Sequence, residues 1–255
     1  MGDQRLVPQT PPGLQAAAAA EPPSRSSGDL ALLALLQLTD GLFPAGGFAH
    51  SLGLETYVQA RMVNDRAGLE AFVRSHLEGS AGPSDAVAVA TAVRRAAAGD
   101  LEACLEIDAR LDAMRVVPEF SAASRQMGRQ TLRVAAGWAK DPWLEALGAR
   151  VDAGTTPGHY PVAFGAAAGR ANVPAGAAAC AYLYATAAML VNAALRLLPI
   201  GQLESQRTLA GLRPRIADLG ERAATADLDD MWSFTPGLEL AGLRHAGLDM
   251  RLFRS

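Results

Sequence analysis

Residues 35 to 55 read LLQLTDGLFPAGGFAHSLGLE, and this stretch specifies an apolar helix, a break and a second helix. Pro44 fixes its own φ and disfavours the α conformation for the residue before it, while Gly46 and Gly47 can adopt a positive φ. The backbone therefore has to leave the first helix at a structural hinge formed by these three residues. The helix that follows is predicted to carry His50, Ser51 and Glu55.

Helical signals continue along the rest of the chain. Apolar residues recur every three to four positions, whereas no segment shows the alternation and β-branched enrichment typical of strands. Predicted helix starts are Asp29 (for a helix through Leu38), Asp65, Ser84 (for a helix to Ala98), Asp100, Asp141 with Pro142, and Pro174. Predicted helix ends are Pro118 and Pro199 with Gly201. The predicted fold is all-α, a single compact multi-helix, bundle-like domain in which abundant alanine favours close helix packing.

The composition changes once along the chain. Residues 1–28 are rich in Pro, Ala and Ser and are predicted to form a disordered leader. They lack the continuous leucine-rich segment of a signal peptide. Residues 29–255 are predicted to form the helical domain.

The last part of that domain, residues 236–255, is a candidate docking tail. Apolar and basic residues continue up to the last position of the sequence, whereas chain ends usually carry polar residues. We therefore expect this tail to dock onto a partner or onto another subunit. The expected anchors are Leu248, Leu252 and Phe253.

One segment permits two interpretations. No charged residue occurs between Arg170 and Arg196, which is long enough for a helix to span a bilayer. The segment is mostly alanine, however, and alanine gains little free energy on transfer into lipid. A buried core helix is therefore the favoured interpretation, with a membrane span as the alternative.

The composition also argues against several classes of function. A formal net charge of −3 supplies no excess of positive charge for nucleic acid, and a chain that is 50% hydrophobic can bury a large core. Lys140 is the only lysine and does not lie in a phosphate-binding loop. The four histidines show no zinc-binding spacing, so we predict no metal site, although a site assembled from distant residues or across a dimer interface stays open. They are His50, His76, His159 and His245.

A hydrolase is the enzymatic alternative. The sequence AHSLG at residues 49–53 is a near match to the G-x-S-x-G nucleophile elbow. That motif requires a strained turn between a strand and a helix, and no strand is predicted here. Ser51 is therefore expected to lie on a helix and to bond the backbone, and Glu55 to act as a dipole partner or solvated contact rather than as a general base. We predict no catalytic residue.

Five segments together resemble a known family, the urease accessory proteins of the UreF type. They are LLQLTDGLFPAGGFAHSLGLE, SRQMGR at residues 124–129, HYPVAFG at residues 159–165, the block from Tyr182 to Gln202, and RHAGLDMRLFRS at residues 244–255. Each segment is weakly specific alone, but together, in this order, they are highly specific. The resemblance implies an all-α, dimerising, non-enzymatic protein without a cofactor, expected in the cytoplasm and not on a membrane.

The resemblance also implies partners and contact residues. Such a protein joins a UreD-type accessory protein (also called UreH) and a UreG-type GTPase on apo-urease, for the delivery of nickel. Residues implied to bind the GTPase are Glu55, Arg196 and Gln202. Residues implied to bind the UreD/UreH-type partner are Arg244, His245, Leu248, Arg251, Leu252 and Phe253.

Overall fold

The computed structural model describes residues 27–255, which form helices joined by turns and contain no strand. The α-helices are Ser27–Thr39 (α1), Leu54–Gln59 (α2), Arg66–His76 (α3), Val87–Ala97 (α4), Leu101–Met114 (α5), Pro118–Ala139 (α6), Pro142–Asp152 (α7), Tyr160–Arg170 (α8), Ala175–Leu197 (α9), Gln202–Thr225 (α10) and Pro236–His245 (α11). A π-helical segment, Leu77–Ala86, joins α3 to α4, and the segments Gly47–Ala49 and Leu228–Asp230 are short 3-10 helices. The predicted all-α class is confirmed.

Local capping explains several helix starts, as predicted. The Asp65 carboxylate accepts a hydrogen bond from the backbone N–H of Gly68 at 2.7 Å, and Asp100 does the same for Ala103 at 3.1 Å. Asp141 accepts two such bonds, from the first residues of α7. Each carboxylate accepts hydrogen bonds from backbone N–H groups that have no partner within the helix. Its negative charge also interacts favourably with the positive end of the helix dipole.

Two predicted helix starts are wrong. Helix α1 begins at Ser27, so Asp29 lies within its first turn and not at its cap. The leader predicted over residues 1–28 lies outside the described residues, except for its last two. Ser84 lies inside the π-helical segment, where its hydroxyl donates to the Ser80 carbonyl at 2.8 Å instead of capping a helix. The helix predicted to start at Asp100 does end before Pro118, at Met114. Pro118 also begins α6, because the first turn of a helix tolerates a residue without an N–H.

The π-helical segment also positions the chain that leads to α11. Pro83 has no N–H, so it cannot bond the carbonyl of Gly79 one turn earlier. That carbonyl instead accepts a hydrogen bond from the backbone N–H of Phe234 at 2.8 Å, and the Pro83 carbonyl accepts one from Trp232 at 3.3 Å. The linker before α11 is thereby attached to the centre of the molecule.

Helix α9 lies between two hydrophobic clusters and belongs to both. Leu183 and Leu190 pack with α3 and α10, whereas Ala178 and Tyr182 pack with α4 and α8. By length and composition this helix could cross a membrane, but 56% of its most apolar stretch is buried within the protein. Its packing favours the interpretation as a core helix.

Helix α8 packs closely on α4 through two glycines one turn apart. A Cβ atom at Gly165 would lie 2.5 Å from the carbonyl oxygen of Val89, and one at Gly169 would lie 2.5 Å from that of Val93. Side chains at these positions would hold the two backbones apart. This contact is the close packing that the abundant small residues predict.

Candidate functional site

The C-terminal tail folds back onto its own chain. Helix α11 packs on α2 and α6, and the Thr56 hydroxyl donates to the Ala241 carbonyl at 3.0 Å. After the end of α11 the chain turns, and residues 252–255 then lie alongside residues 49–55. The backbone N–H of Arg254 donates to the Ala49 carbonyl at 2.9 Å. The segment expected to dock is therefore ordered within this chain.

Glu55 makes more hydrogen bonds to the tail than the other residues described below. It lies in the first turn of α2 and is only 2% exposed. Its Oε1 accepts from the backbone N–H of Leu252 at 2.7 Å, and its Oε2 accepts from that of Phe253 at 3.1 Å. The same Oε2 lies 3.1 Å from Nε2 of His245. In this conformation the carboxylate contacts its own tail and not the surface, so its expected contact with a GTPase stays a prediction.

His245 lies between two carboxylates and is fully buried. Its Nδ1 is 2.7 Å from Oε2 of Glu119, while its Nε2 faces Glu55. Each ring nitrogen therefore lies within hydrogen-bonding distance of a carboxylate oxygen. Arg251 donates to the other oxygen of Glu119 at 3.0 Å. A histidine and an arginine of the tail thus contact two carboxylates, one on α2 and one on α6.

Arg196, at the end of α9, contacts the same segment from the other side. Its guanidinium carbon lies 4.0 Å from the centroid of the Phe253 ring, and this ring is only 4% exposed. Its Nη2 donates to the carbonyl oxygen of Phe48 at 2.6 Å. The side chain therefore binds the hinge region and the tail together.

The hinge region differs from the expected second helix. Helix α1 ends at Thr39, and Gly46 adopts φ +90, whereas Gly47 begins a 3-10 helix and has no positive φ. His50 and Ser51 lie before α2, because Gly53, at φ +86, caps that helix. Their expected position on a helix is therefore wrong.

Ser51 and His50 bond the last residue of the tail. The Ser51 hydroxyl donates to the backbone oxygen of Ser255 at 2.9 Å, so it does bond backbone, as expected. Nδ1 of His50 lies 2.9 Å from Oγ of Ser255, and burial, together with the charge of Arg254, lowers the pKa of the His50 ring. These contacts hold the end of the tail against the hinge region.

Neither chemical alternative gains support from residues 27–255. Ser51 is fully buried, and its hydroxyl bonds the tail instead of facing a turn between a strand and a helix. Within the same range, no group of three or more His, Cys, Asp or Glu side chains has an arrangement that could hold a metal ion.

Three of the expected contact residues lie outside this cluster. Gln202 is exposed at the first position of α10, and Arg244 is exposed on α11. Leu248 is half-buried in the turn after α11. The structure thus brings together Glu55, Arg196, His245, Arg251 and Phe253, while Leu252 presents its side chain outward and is 55% exposed.

The sequence alone did not point to Glu119. It follows Pro118 in the first turn of α6, where an acidic residue reads as an ordinary partner of the helix dipole. The Phe48 carbonyl, which Arg196 contacts, and Ser255, which His50 and Ser51 contact, were missed for a related reason. A backbone oxygen or a single serine carries no signal in the sequence.

A cavity of about 410 Å³ borders the hinge region. Its wall contains a buried polar cluster in which the Asp85 carboxylate accepts from the Arg115 guanidinium at 2.8 Å and from the Tyr182 hydroxyl at 2.9 Å. His76 lines the same wall and is 7% exposed. The Asp85 carboxylate thus has partners within the cluster, whereas Nε of Arg115 is buried without a hydrogen-bond partner.

His76 should make the protein less stable as the pH falls. Burial lowers the pKa of its ring from 6.5 to about 4; Asp85 opposes this shift and Arg115 adds to it. Between these two pH values the unfolded chain binds a proton that the folded chain does not, so the free energy of unfolding falls as the pH drops. The loss due to this one ring reaches about 3 kcal/mol at the lower end of the window.

A His76→Gln variant should therefore lose less stability on acidification than the unmodified chain. Urea unfolding at a series of pH values from 6.5 to 4 measures both slopes. Parallel slopes would show that the ring does not stay neutral in the folded protein.

Comparison with known proteins gives a consistent result. A family model described as UreF matches residues 63–213. The urease accessory protein UreF of Arthrobacter sp. (strain FB24) is 37% identical over 227 residues, covering 88% of this chain and 96% of the relative. The protein of that name from Rhodopseudomonas palustris (strain HaA2) is 36% identical, covering 93% and 99%, and that from Bacillus sp. (strain TB-90) is 30% identical, covering 88% and 99%.

Proposed function

This chain belongs to the UreF family of urease accessory proteins, and from that premise we propose that it is a non-catalytic adaptor in the maturation of urease. With a UreD/UreH-type protein it recruits a UreG-type GTPase to apo-urease and couples GTP hydrolysis to nickel insertion. The family membership confirms the resemblance drawn from the five sequence segments and supports the role in urease maturation. The relatives are named as accessory proteins, which supports a role without catalysis.

One observation carries the finer part of the proposal. The residues expected to face the two partners contact each other, since Glu55 bonds the backbone of Leu252 and Phe253 and Arg196 stacks on the Phe253 ring. A partner that binds the outer side of the tail therefore changes the contacts of Glu55 and Arg196, two of the residues expected to bind the GTPase. A protein without a reaction of its own can act in this way, by favouring one conformation of another protein.

Exposed apolar surface supports a role in binding proteins. Helix α1 buries Ala31 and Leu38 but leaves four leucines about half exposed, and the neighbouring Phe48 is 79% exposed. The four are Leu30, Leu32, Leu33 and Leu36. Apolar patches of this kind are typical of protein contacts. The proposed assembly contains two copies of this chain, and we place it in the cytoplasm, where the GTPase obtains its nucleotide.

Arg196→Ala should weaken recruitment of the GTPase. The substitution removes the hydrogen bond to the Phe48 carbonyl and the stacking on Phe253, so the surface formed by the hinge region and the tail loses the residue that joins its two sides. We expect at least about a tenfold loss in affinity, as for a central interface residue. The measurement is a pull-down of the UreG-type GTPase by this chain together with its UreD/UreH-type partner, followed by metal analysis of the urease.

Arg133→Ala is the matched control, because Arg133 is also exposed on a long helix, α6. It removes the same charge and should leave recruitment unchanged. Equal recruitment by the Arg196 variant and the control would refute the role assigned to Arg196. Normal nickel loading of urease without this chain would refute the proposed function itself.

A further inference from the structure

Glu119 is the residue of α6 that holds the turn after α11. One of its carboxylate oxygens lies 2.7 Å from Nδ1 of His245, the last residue of α11. The other accepts from Nη1 of Arg251 at 3.0 Å, on the far side of the turn. A single carboxylate thus fixes the distance between the two ends of the segment 245–251.

The start of α6 is shaped to receive this part of the tail. A Cβ atom at Gly242 would lie 2.5 Å from the Phe120 ring and 2.8 Å from the Val117 side chain, so α11 lies directly on residues close to Glu119 on both sides. This close approach places His245 within reach of the carboxylate. Gly242 and Glu119 therefore both contribute to the contact between the tail and the start of α6.

The contact between Glu119 and the tail depends on the charge of the carboxylate. Two carboxylates face His245 and Arg251, and each nitrogen of the fully buried imidazole lies beside a carboxylate oxygen. Removing the charge of Glu119 leaves Glu55 alone with His245 and Arg251 and leaves Nδ1 facing a weaker acceptor. Buried charges that lose a partner reorganise, because the desolvation cost is no longer compensated. Glu55 still holds residues 252 and 253, so the change is concentrated in the turn.

We propose that Glu119 is a positioning residue for partner binding: it holds the turn between His245 and Arg251 in the shape that the UreD/UreH-type partner recognises. The inference rests on the proposed function, because it names the residue that prepares the tail for that partner. Glu119 itself is only 23% exposed on its side chain, whereas Arg251 is 42% exposed and faces outward. The carboxylate therefore acts through the arginine and the shape of the turn.

The test compares Glu119→Gln with Glu145→Gln in the full chain. Both residues are acidic and lie in the first turn of a helix that begins with proline, so the control removes the same interaction with a helix dipole. We expect Glu119→Gln to lower the affinity for the UreD/UreH-type partner about tenfold or more, and the control to leave it unchanged. Glu119→Asp, which keeps the charge, should recover part of the affinity.

Two further measurements separate positioning from a general structural role. Hydrogen exchange of the free Glu119→Gln chain should be faster in residues 245–251 and unchanged in α4 and α8. In a double-mutant cycle, Arg251→Gln should cost little more once Glu119 is replaced, because the two side chains act as one unit. Faster exchange with unchanged partner affinity, or fully additive losses, would overturn the positioning role. Absence of binding by the unmodified chain would overturn the proposed function and this inference together.

Discussion

Replacing Glu55 with glutamine is expected to detach the tail and to destabilise the protein by about 3 kcal/mol, because buried hydrogen-bond donors are left without their acceptor. The carboxylate accepts three hydrogen bonds, from Leu252, from Phe253 and from the His245 ring. The glutamine side chain has one acceptor, its carbonyl oxygen, and an NH₂ group that only donates hydrogen bonds. At least one backbone N–H or the buried ring must therefore lose its acceptor.

Urea unfolding measures the loss in the free energy of unfolding, and hydrogen exchange shows where the structure opens. The expected pattern is fast exchange from residue 245 to residue 255 with a slowly exchanging core. Glu106→Gln is the control, because Glu106 is exposed on α5, and it should change stability by no more than about 0.5 kcal/mol. A Glu55 variant as stable as this control would show that the tail is not held by the carboxylate.

The same substitution, glycine to alanine, should have opposite effects at two positions in the middle of helices. At Gly165 the added Cβ atom would lie 2.5 Å from the Val89 carbonyl oxygen, 2.8 Å from the Ala92 Cβ and 3.1 Å from the Val89 Cα. Two of these three atoms belong to the backbone of α4, so the helices must separate. We expect Gly165→Ala to cost about 2 to 3 kcal/mol, even after the gain in helix propensity.

At Gly148, in α7, nothing lies within 4 Å of the added atom. Alanine there only restricts the unfolded chain and improves helix propensity, so Gly148→Ala should stabilise the protein by about 0.5 to 1 kcal/mol. Urea unfolding of both variants gives the two signs directly. Effects of the same sign would mean that α8 does not pack on α4 at this distance.

The helices themselves were predictable because their signals are local. The carboxylates of Asp65, Asp100 and Asp141 reach N–H groups only two or three residues away, so the sequence contains both partners. The prediction failed at Ser84 because it assumed an ordinary α-helix start. The turn around Pro83 instead remains helical with a wider hydrogen-bonding pattern, and its carbonyls bond a linker about 150 residues further along the chain.

The candidate site was predictable only as a set of separate residues. Residue type and segment resemblance pointed to Glu55, Arg196 and the tail, each without its neighbours. That Glu55 would accept hydrogen bonds from the backbone of Phe253, 198 residues later, was not predictable, and neither was the stacking of Arg196 on the same ring. Glu119 carried no signal, because its two partners lie 126 and 132 residues away.

By itself, the sequence determined the helical class, the break between α1 and α2, several helix starts and the family. These features follow from the φ preferences of proline and glycine, from caps that act within one turn and from motifs in a fixed order. The tertiary structure alone decided that the tail belongs to the core of its own chain, and that His245 lies between Glu55 and Glu119. The reason is that a fully buried imidazole requires hydrogen-bond partners from more than one helix, and only the packed fold brings helices so distant in sequence within hydrogen-bonding distance.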